Sequence, residues 1–235
     1  MKQGMKKIII SFLTFVLACQ AVAAQEFEPR ETWPLVYENF QKGAARTVTG
    51  VLISDAQFNV SVMDGALLYV NKDNKIMNSD MSKVYTALIG DDLYLNVGGK
   101  MYKVLSELNL GCVLSQVLFD KDKASKVDIG YGVSSSTGSS MNLTLLLDGR
   151  MDLINKSLEA GEKDKYFSNA IPVKTTRYIY VDHRLIPATK SDIMSCEGVD
   201  KKQAKDFFKT EKIKWKETDS LEKIVVFLYG QFNKE

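Results

Sequence analysis

Between Ala44 and Phe119 the chain repeats one pattern: short apolar segments, each closed by a turn signal. The segments read "TVTGVLI", "AQFNVSV", "ALLYV", "KVYTALI", "LYLNV", "MYKVL" and "CVLSQVLF", rich in β-branched and aromatic residues. "MDG", "NKDNK", "GDD", "VGGK" and "NLG" separate them. Segments this short leave no room for long amphipathic helices, and their spacing predicts antiparallel strands. Leu93, Leu95 and Val97 are expected on one face of a strand, with Tyr94 and Asn96 on the other. At Val97–Lys100 two consecutive glycines supply the positive φ of a tight hairpin. The expected fold is mainly β (α+β), antiparallel strands in a sheet, roll or barrel, with a small helical subdomain at the C-terminus.

The first residues, "MKQGMKKIIISFLTFVLACQAVAAQ", carry Lys2, Lys6 and Lys7 ahead of an apolar core at Ile8–Ala18. This is the pattern of an export signal, and the core is too short to cross a bilayer as a helix, which takes about 20 residues. Small residues at Ala21, Ala23 and Ala24 suit ordinary cleavage, giving a mature chain from near Ala24 or Gln25. Val16-Leu17-Ala18-Cys19 offers a second reading, a lipobox whose Cys19 would be acylated and anchor the protein. The expected location is the periplasm or cell envelope, with no transmembrane helix.

The precursor holds 31 basic and 29 acidic residues. Three of the lysines leave with residues 1–24, so 28 basic against 29 acidic residues give the mature chain a net charge of −1. That balance removes the electrostatic case for nucleic acid, which needs a concentrated basic face. The lysine-rich stretch Lys201–Lys223 also carries Asp206, Glu211, Glu217, Asp219 and Glu222, and reads as a solvated helix face. Two cysteines survive cleavage, Cys112 in an apolar run and Cys196. Cys112 is expected as a buried free thiol and Cys196 could equally be a small apolar contact, with a bridge between them as the lesser alternative.

"GYGVSSSTGSS" at Gly130–Ser140 interrupts the β pattern. A phosphate loop would need Lys after the last glycine, where Ser139 stands, and a dinucleotide fingerprint lacks its third glycine. With no apolar anchor beyond Tyr131 and Val133, the stretch is expected to be a mobile surface loop leading to a strand at "MNLTLLL". "RYIYVDHRLIPATK" then predicts two strands around Asp182-His183-Arg184. Helices are expected at Asp200–Lys209, with Ala204, Phe207 and Phe208 inward, and at Asp219–Phe232, where Asp219 and Glu222 suggest a capping box. In the second helix Leu221, Ile224, Val225 and Leu228 form one stripe. The organisation is thus a signal peptide at 1–24, a β domain at 25–187 and a helical subdomain at 188–235.

"ETWPLVYENFQKGA", "AQFNVSVMDGALLYVNKDNKIM", "IGDDLYL", "YGVSSSTGSS" and "YIYVDHRLIPATKSDIM", in that order before a lysine-rich tail, resemble a family of exported proteins from Bacteroidetes-type bacteria. The resemblance spans nearly the whole mature chain and implies the β-rich fold with its helical tail. It implies no activity, ligand or catalytic residue.

Catalytic stock is thin. His183 is the only histidine and falls in a predicted turn, where a triad with Cys112 or Cys196 is formal only. Zinc sites draw on several Cys or His ligands, HExxH and G-x-S-x-G are absent, and Ser220-x-x-Lys223 sits at a helix start. Asp91-Asp92 and Asp120-x-Asp122 could ligate calcium or act as a glycosidase pair, although adjacent aspartates commonly just form turns. No motif calls for a cofactor. Trp33, Tyr37 and Phe40 form an aromatic triplet that is the candidate binding surface, with packing on the β domain as its plain alternative. The expected role is a non-catalytic cell-envelope binding or accessory module whose partner is an envelope protein or glycan. The alternative is a carboxylate-dependent enzyme acting on an envelope or extracellular glycan.

Overall fold

The structure, a computed structural model, describes residues 34–120, 122 and 172–233. Trp33, the Gly130–Ser140 loop and the "MNLTLLL" segment lie outside them.

The described residues form one antiparallel sheet in the order β10-β9-β8-β7-β6-β5-β1-β2-β3-β4. Its strands are β1 (Gln41–Thr47), β2 (Leu52–Val60), β3 (Leu67–Val70), β4 (Ile76–Asn78), β5 (Val84–Ile89), β6 (Asp92–Val97), β7 (Lys100–Leu108), β8 (Gly111–Phe119), β9 (Val173–Val181) and β10 (Arg184–Pro187). The turns follow the expected chemistry. Gly98 and Gly99 both take positive φ (60° and 80°) between β6 and β7, and Asp182 and His183 do the same (49° and 61°) between β9 and β10. Positive φ at both central positions matches the twist of the flanking strands.

The sheet curls back on itself. The β2–β3 connection inserts between the start of β7 and the end of β8: the Met101 N–H donates to the Gly65 carbonyl at 2.8 Å and the Phe119 N–H to the Val62 carbonyl at 2.7 Å. Inside the curl Ala45, Phe58, Val60, Leu67, Ala87, Ile89, Tyr94 and Met101 form one buried cluster. Gly43 lets β1 approach β5 there, since a β-carbon on it would stand 2.0 Å from the Leu88 carbonyl oxygen. A second cluster, Leu35, Val62, Leu68 and Ile76, closes one end.

Three helices cover the rest of the concave face: α1 (Lys190–Ser195), α2 (Lys201–Thr210) and α3 (Thr218–Phe232). Their core joins Ile193, Ala204, Phe208 and the α3 stripe to Val113, Ile179, Val181 and Ile186 of the sheet. Leu221, Ile224, Val225 and Leu228 are all wholly buried, so the stripe docks within the chain. A helix of this length is marginal alone in water, and this contact is what holds it.

Two local expectations are corrected. "TVTGVLI" is not one strand but holds the turn between β1 and β2: Thr47 ends β1, Val48 and Thr49 turn, Gly50 takes φ 86° and β2 starts at Leu52. The strand before it, "QKGAART", is polar and small, and is selected by its place between β2 and β5. The expected alternation in β6 holds, with Tyr94 on the face opposite Leu93 and Leu95; Tyr94 is the buried side chain and the two leucines are half-buried. The last helix starts one residue early, with Glu217 at its N-cap and no side-chain cap, so Asp219 lies in the first turn and makes no capping box. There the Ser220 hydroxyl accepts from the Lys214 N–H at 2.9 Å instead and ties down the preceding loop. Finally, α1 was not foreseen, although Thr189 caps it by accepting from the Asp192 N–H.

Candidate functional site

The most polar part of the concave face is a row set by strand register. Tyr94 of β6 stands directly opposite Lys103 of β7, Lys103 opposite Ser115 of β8, and Ser115 opposite Arg177 of β9. Directly opposed residues of antiparallel strands project from the same face, so four polar side chains from four strands line up. Asp92, two residues before Tyr94, shares that face, and the Lys103 ammonium reaches its carboxylate at 3.0 Å.

A segment ahead of β1 crosses one end of this row. Leu35 makes an isolated bridge with Ser61, and the Val36 N–H donates to the Val60 carbonyl. Asn59, wholly buried, pins the segment from both sides. Its Oδ1 accepts from the Tyr37 N–H at 3.1 Å, and its Nδ2 donates to the Tyr37 carbonyl at 2.9 Å. The Tyr37 hydroxyl then donates to Asp92 Oδ2 at 2.6 Å and lies 2.8 Å from the Tyr94 hydroxyl. Each phenol has one proton. With that of Tyr37 given to the carboxylate, Tyr94 donates to Tyr37.

The electrostatics follow from this chain. Burial raises the Tyr37 hydroxyl far above its ordinary value, with further contributions from Tyr94 and from its bond to Asp92. Burial likewise raises Tyr94, against a smaller opposing effect of its bond to Tyr37. Both phenols stay neutral through the physiological range and act as fixed hydrogen-bond groups rather than bases.

At the other end of the row, Arg177 differs from its neighbours. Its Nη1 is the one buried side-chain nitrogen or oxygen among the described residues without a hydrogen-bond partner. Buried donors are normally paired, and a guanidinium is built to grip a carboxylate or phosphate through two parallel N–H groups. Lys103 and Arg177 flank Ser115, two strands apart, a span of about 10 Å between their backbones.

The residues singled out in the sequence fall in several places. Tyr37 packs against the cluster inside the curl and Phe40 against the one at its end, so these two rings serve different cores. Asp91 is exposed in the β5–β6 turn while Asp92 is partly buried on the concave face. The two do not converge on a shared point as a glycosidase pair would. His183 is exposed at the tip of the β9–β10 turn. Cys112 and Cys196 are both free. Burial, with Glu107 nearby, pushes the Cys112 thiol up to about 11, which keeps it protonated at neutral pH and a poor nucleophile. Among the described residues no group of three or more His, Cys, Asp or Glu side chains is gathered to hold a metal, and no helix is long and apolar enough to cross a membrane.

Lys103, Ser115 and Arg177 carried no signal in the sequence. Each looks like an ordinary strand residue, and only the register brings them together. Comparison with family models, with curated proteins and with solved structures finds no match to this chain.

Proposed function

We propose that this is a non-catalytic binding module of the cell envelope, and that it holds an oxyanion-bearing ligand against the concave face of its sheet. The observation that carries the reading is the buried, unpartnered Arg177 Nη1, in register with Ser115 and Lys103. A guanidinium nitrogen left without a partner costs free energy, and a carboxylate or phosphate oxygen would satisfy it. The envelope location rests on the export signal at Met1–Ala24, and binding without turnover on the neutral phenols beside Asp92. The ligand class this suits is an envelope glycan or protein segment bearing carboxylates or phosphates.

Thermal unfolding at low ionic strength, titrated with inorganic phosphate and with glucuronate, tests the reading. The wild-type protein is expected to gain stability with the logarithm of either probe's concentration above its Kd, and Arg177→Met, which keeps the unbranched stem but removes the guanidinium, to lose that gain. Equal responses of the two proteins, or no response from either, would sink the proposal.

A further inference from the structure

The β1–β2 turn breaks the usual rule that hairpin tips are polar. Val48, Val51, Leu52 and Ile53 are 61, 58, 52 and 47 % exposed, and from Thr47 to Ser54 the chain has no ionisable side chain. Such a cluster, projecting from the end of a sheet, is a surface feature with a purpose.

Its polar groups turn inward. The Thr47 N–H donates to the Val51 carbonyl at 2.9 Å, the Gly50 N–H to the Thr47 carbonyl at 3.0 Å, and the Val48 N–H to the Lys83 carbonyl at 2.9 Å. The Val51 N–H donates to the Thr47 hydroxyl at 3.0 Å, which itself lies 2.9 Å from the Thr49 hydroxyl. Internal bonds of this kind suit a hairpin that enters hydrocarbon, where a polar group without an internal partner is costly.

Pairing with another strand is blocked. Just behind the tip a bulge shifts the β1–β2 register between Gly43 and Ala45, and Asp55 there takes φ 58°. A bulge with a charged residue twists an edge away from new partners. What the tip offers is side chains, not a backbone edge.

We propose that the β1–β2 tip inserts into the surface of a lipid bilayer. The charges at its base are mixed. Arg46 stands opposite Leu52, Lys83 is paired with Asp80 at 3.0 Å, and Asp55 lies at the bulge. Burial of the apolar tip drives the contact, so neutral lipid suffices and added salt has little effect.

The chain outside the described residues is compatible with that orientation. Pro34 lies at the end of β2 away from the tip, its carbonyl accepting from the Val62 N–H. The fourteen residues 20–33 can extend about 48 Å, against a β1 length of about 23 Å. If Cys19 carries acyl chains, the anchor and the tip therefore reach the same surface, and the anchor and tip supply the two signals that lasting attachment needs.

The test uses protein exported from a Cys19→Ala precursor and cleaved near Ala24, so that neither an acyl chain nor the signal core contributes, mixed with phosphatidylcholine vesicles and floated on a density gradient. The protein is expected to float with the vesicles at both low and high salt. Leu52→Ser with Ile53→Ser should weaken partitioning roughly tenfold or more while leaving the melting temperature unchanged, because both side chains are exposed. A Val51→Trp reporter, read as the difference from the parent spectrum, should shift to the blue on adding vesicles and be quenched by brominated lipid. Failure of the parent to float, undiminished flotation of the double variant, or an unquenched reporter would each overturn the proposal. A dependence on anionic lipid that high salt abolishes would overturn it too. None of these results bears on oxyanion binding at Arg177, which has its own probes.

Discussion

Gly111 passes so close to β9 that a β-carbon on it would lie 2.4 Å from the carbonyl oxygen of Tyr180. The same atom would meet Val225 Cγ1 of α3 at 3.1 Å. β8, β9 and the last helix therefore converge on a position with no room for a side chain. Gly111→Ala has to move either the strand pair or the helix, and is expected to cost at least roughly 1–3 kcal/mol, the range for overpacking. Urea unfolding measures it, and a wild-type midpoint would contradict the close packing.

Ile224 and Asp219 give opposite expectations on one helix. Ile224 is wholly buried in the core shared with the sheet, and Ile224→Ala should cost roughly 2–5 kcal/mol through the cavity it leaves. Asp219 caps nothing, so Asp219→Ala should remove only the favourable placement of a carboxylate near a helix N-terminus, roughly 0.3–1 kcal/mol. Comparing the two variants by chemical denaturation checks both. A cost for Asp219→Ala as large as that for Ile224→Ala would mean that the helix start has been misread.

The segment ahead of β1 should depend more on Asn59 than on Tyr37. Asn59→Ala strands a Tyr37 N–H and a carbonyl, at about 1–3 kcal/mol for each group left unpaired. Tyr37→Phe removes a bond to Asp92 that Lys103 partly replaces, and should fall at or below about 1.5–3 kcal/mol, the range for a bond to a charged group. Limited proteolysis followed by mass measurement should show new cleavage ahead of Gln41 in Asn59→Ala. Protection equal to wild type would count against the latch.

Alkaline pH should destabilise the protein in two steps. The Cys112 thiol is raised on folding, so the folded state favours the proton. Its contribution is complete below the unfolded thiol pKa, about 8.5, and is lost as pH rises toward about 11. Tyr37 and Tyr94 are raised as well, and their contribution begins to fall above about 10, where unfolded tyrosines ionise. Denaturation midpoints between pH 8 and 11 should decline in the wild type, and in Cys112→Ala the decline should start later. Identical profiles for the two proteins would remove Cys112 from the account.

The sequence was most readable where a single local rule decides the outcome. Two glycines make the Val97–Lys100 turn, and the 3.6-residue spacing of Leu221, Ile224, Val225 and Leu228 marks the buried face of α3. It was least readable where distant strands decide. Gln41–Thr47 has the composition of a loop and becomes a central strand because two other strands need it between them. Val48–Val51 has the composition of a strand and becomes a turn, because Gly50 reverses the chain. Alternation separates Tyr94 from Leu93 and Leu95 but does not say which face is buried; that is decided by distant residues, among them Tyr37, whose hydroxyl lies 2.8 Å from that of Tyr94. The polar row on the concave face was invisible for the same reason, since Lys103, Ser115 and Arg177 are neighbours only through register.

The strand order has a consequence for how the chain could come apart and be reassembled. β1–β4 and β5–β10 are two meanders in which sheet neighbours are chain neighbours, and the pairing of β1 with β5 stitches them together. Only the stretch from Ser79 to Lys83 links the meanders along the backbone. Separating them also breaks the bonds from the β2–β3 connection to β7 and β8, and bares β1 on one half and β5 on the other, two edges that complement each other. Two copies of the chain could therefore trade halves at Ser79–Lys83 and rebuild the same strand pair between molecules. By the same logic, a chain severed there consists of two complementing fragments.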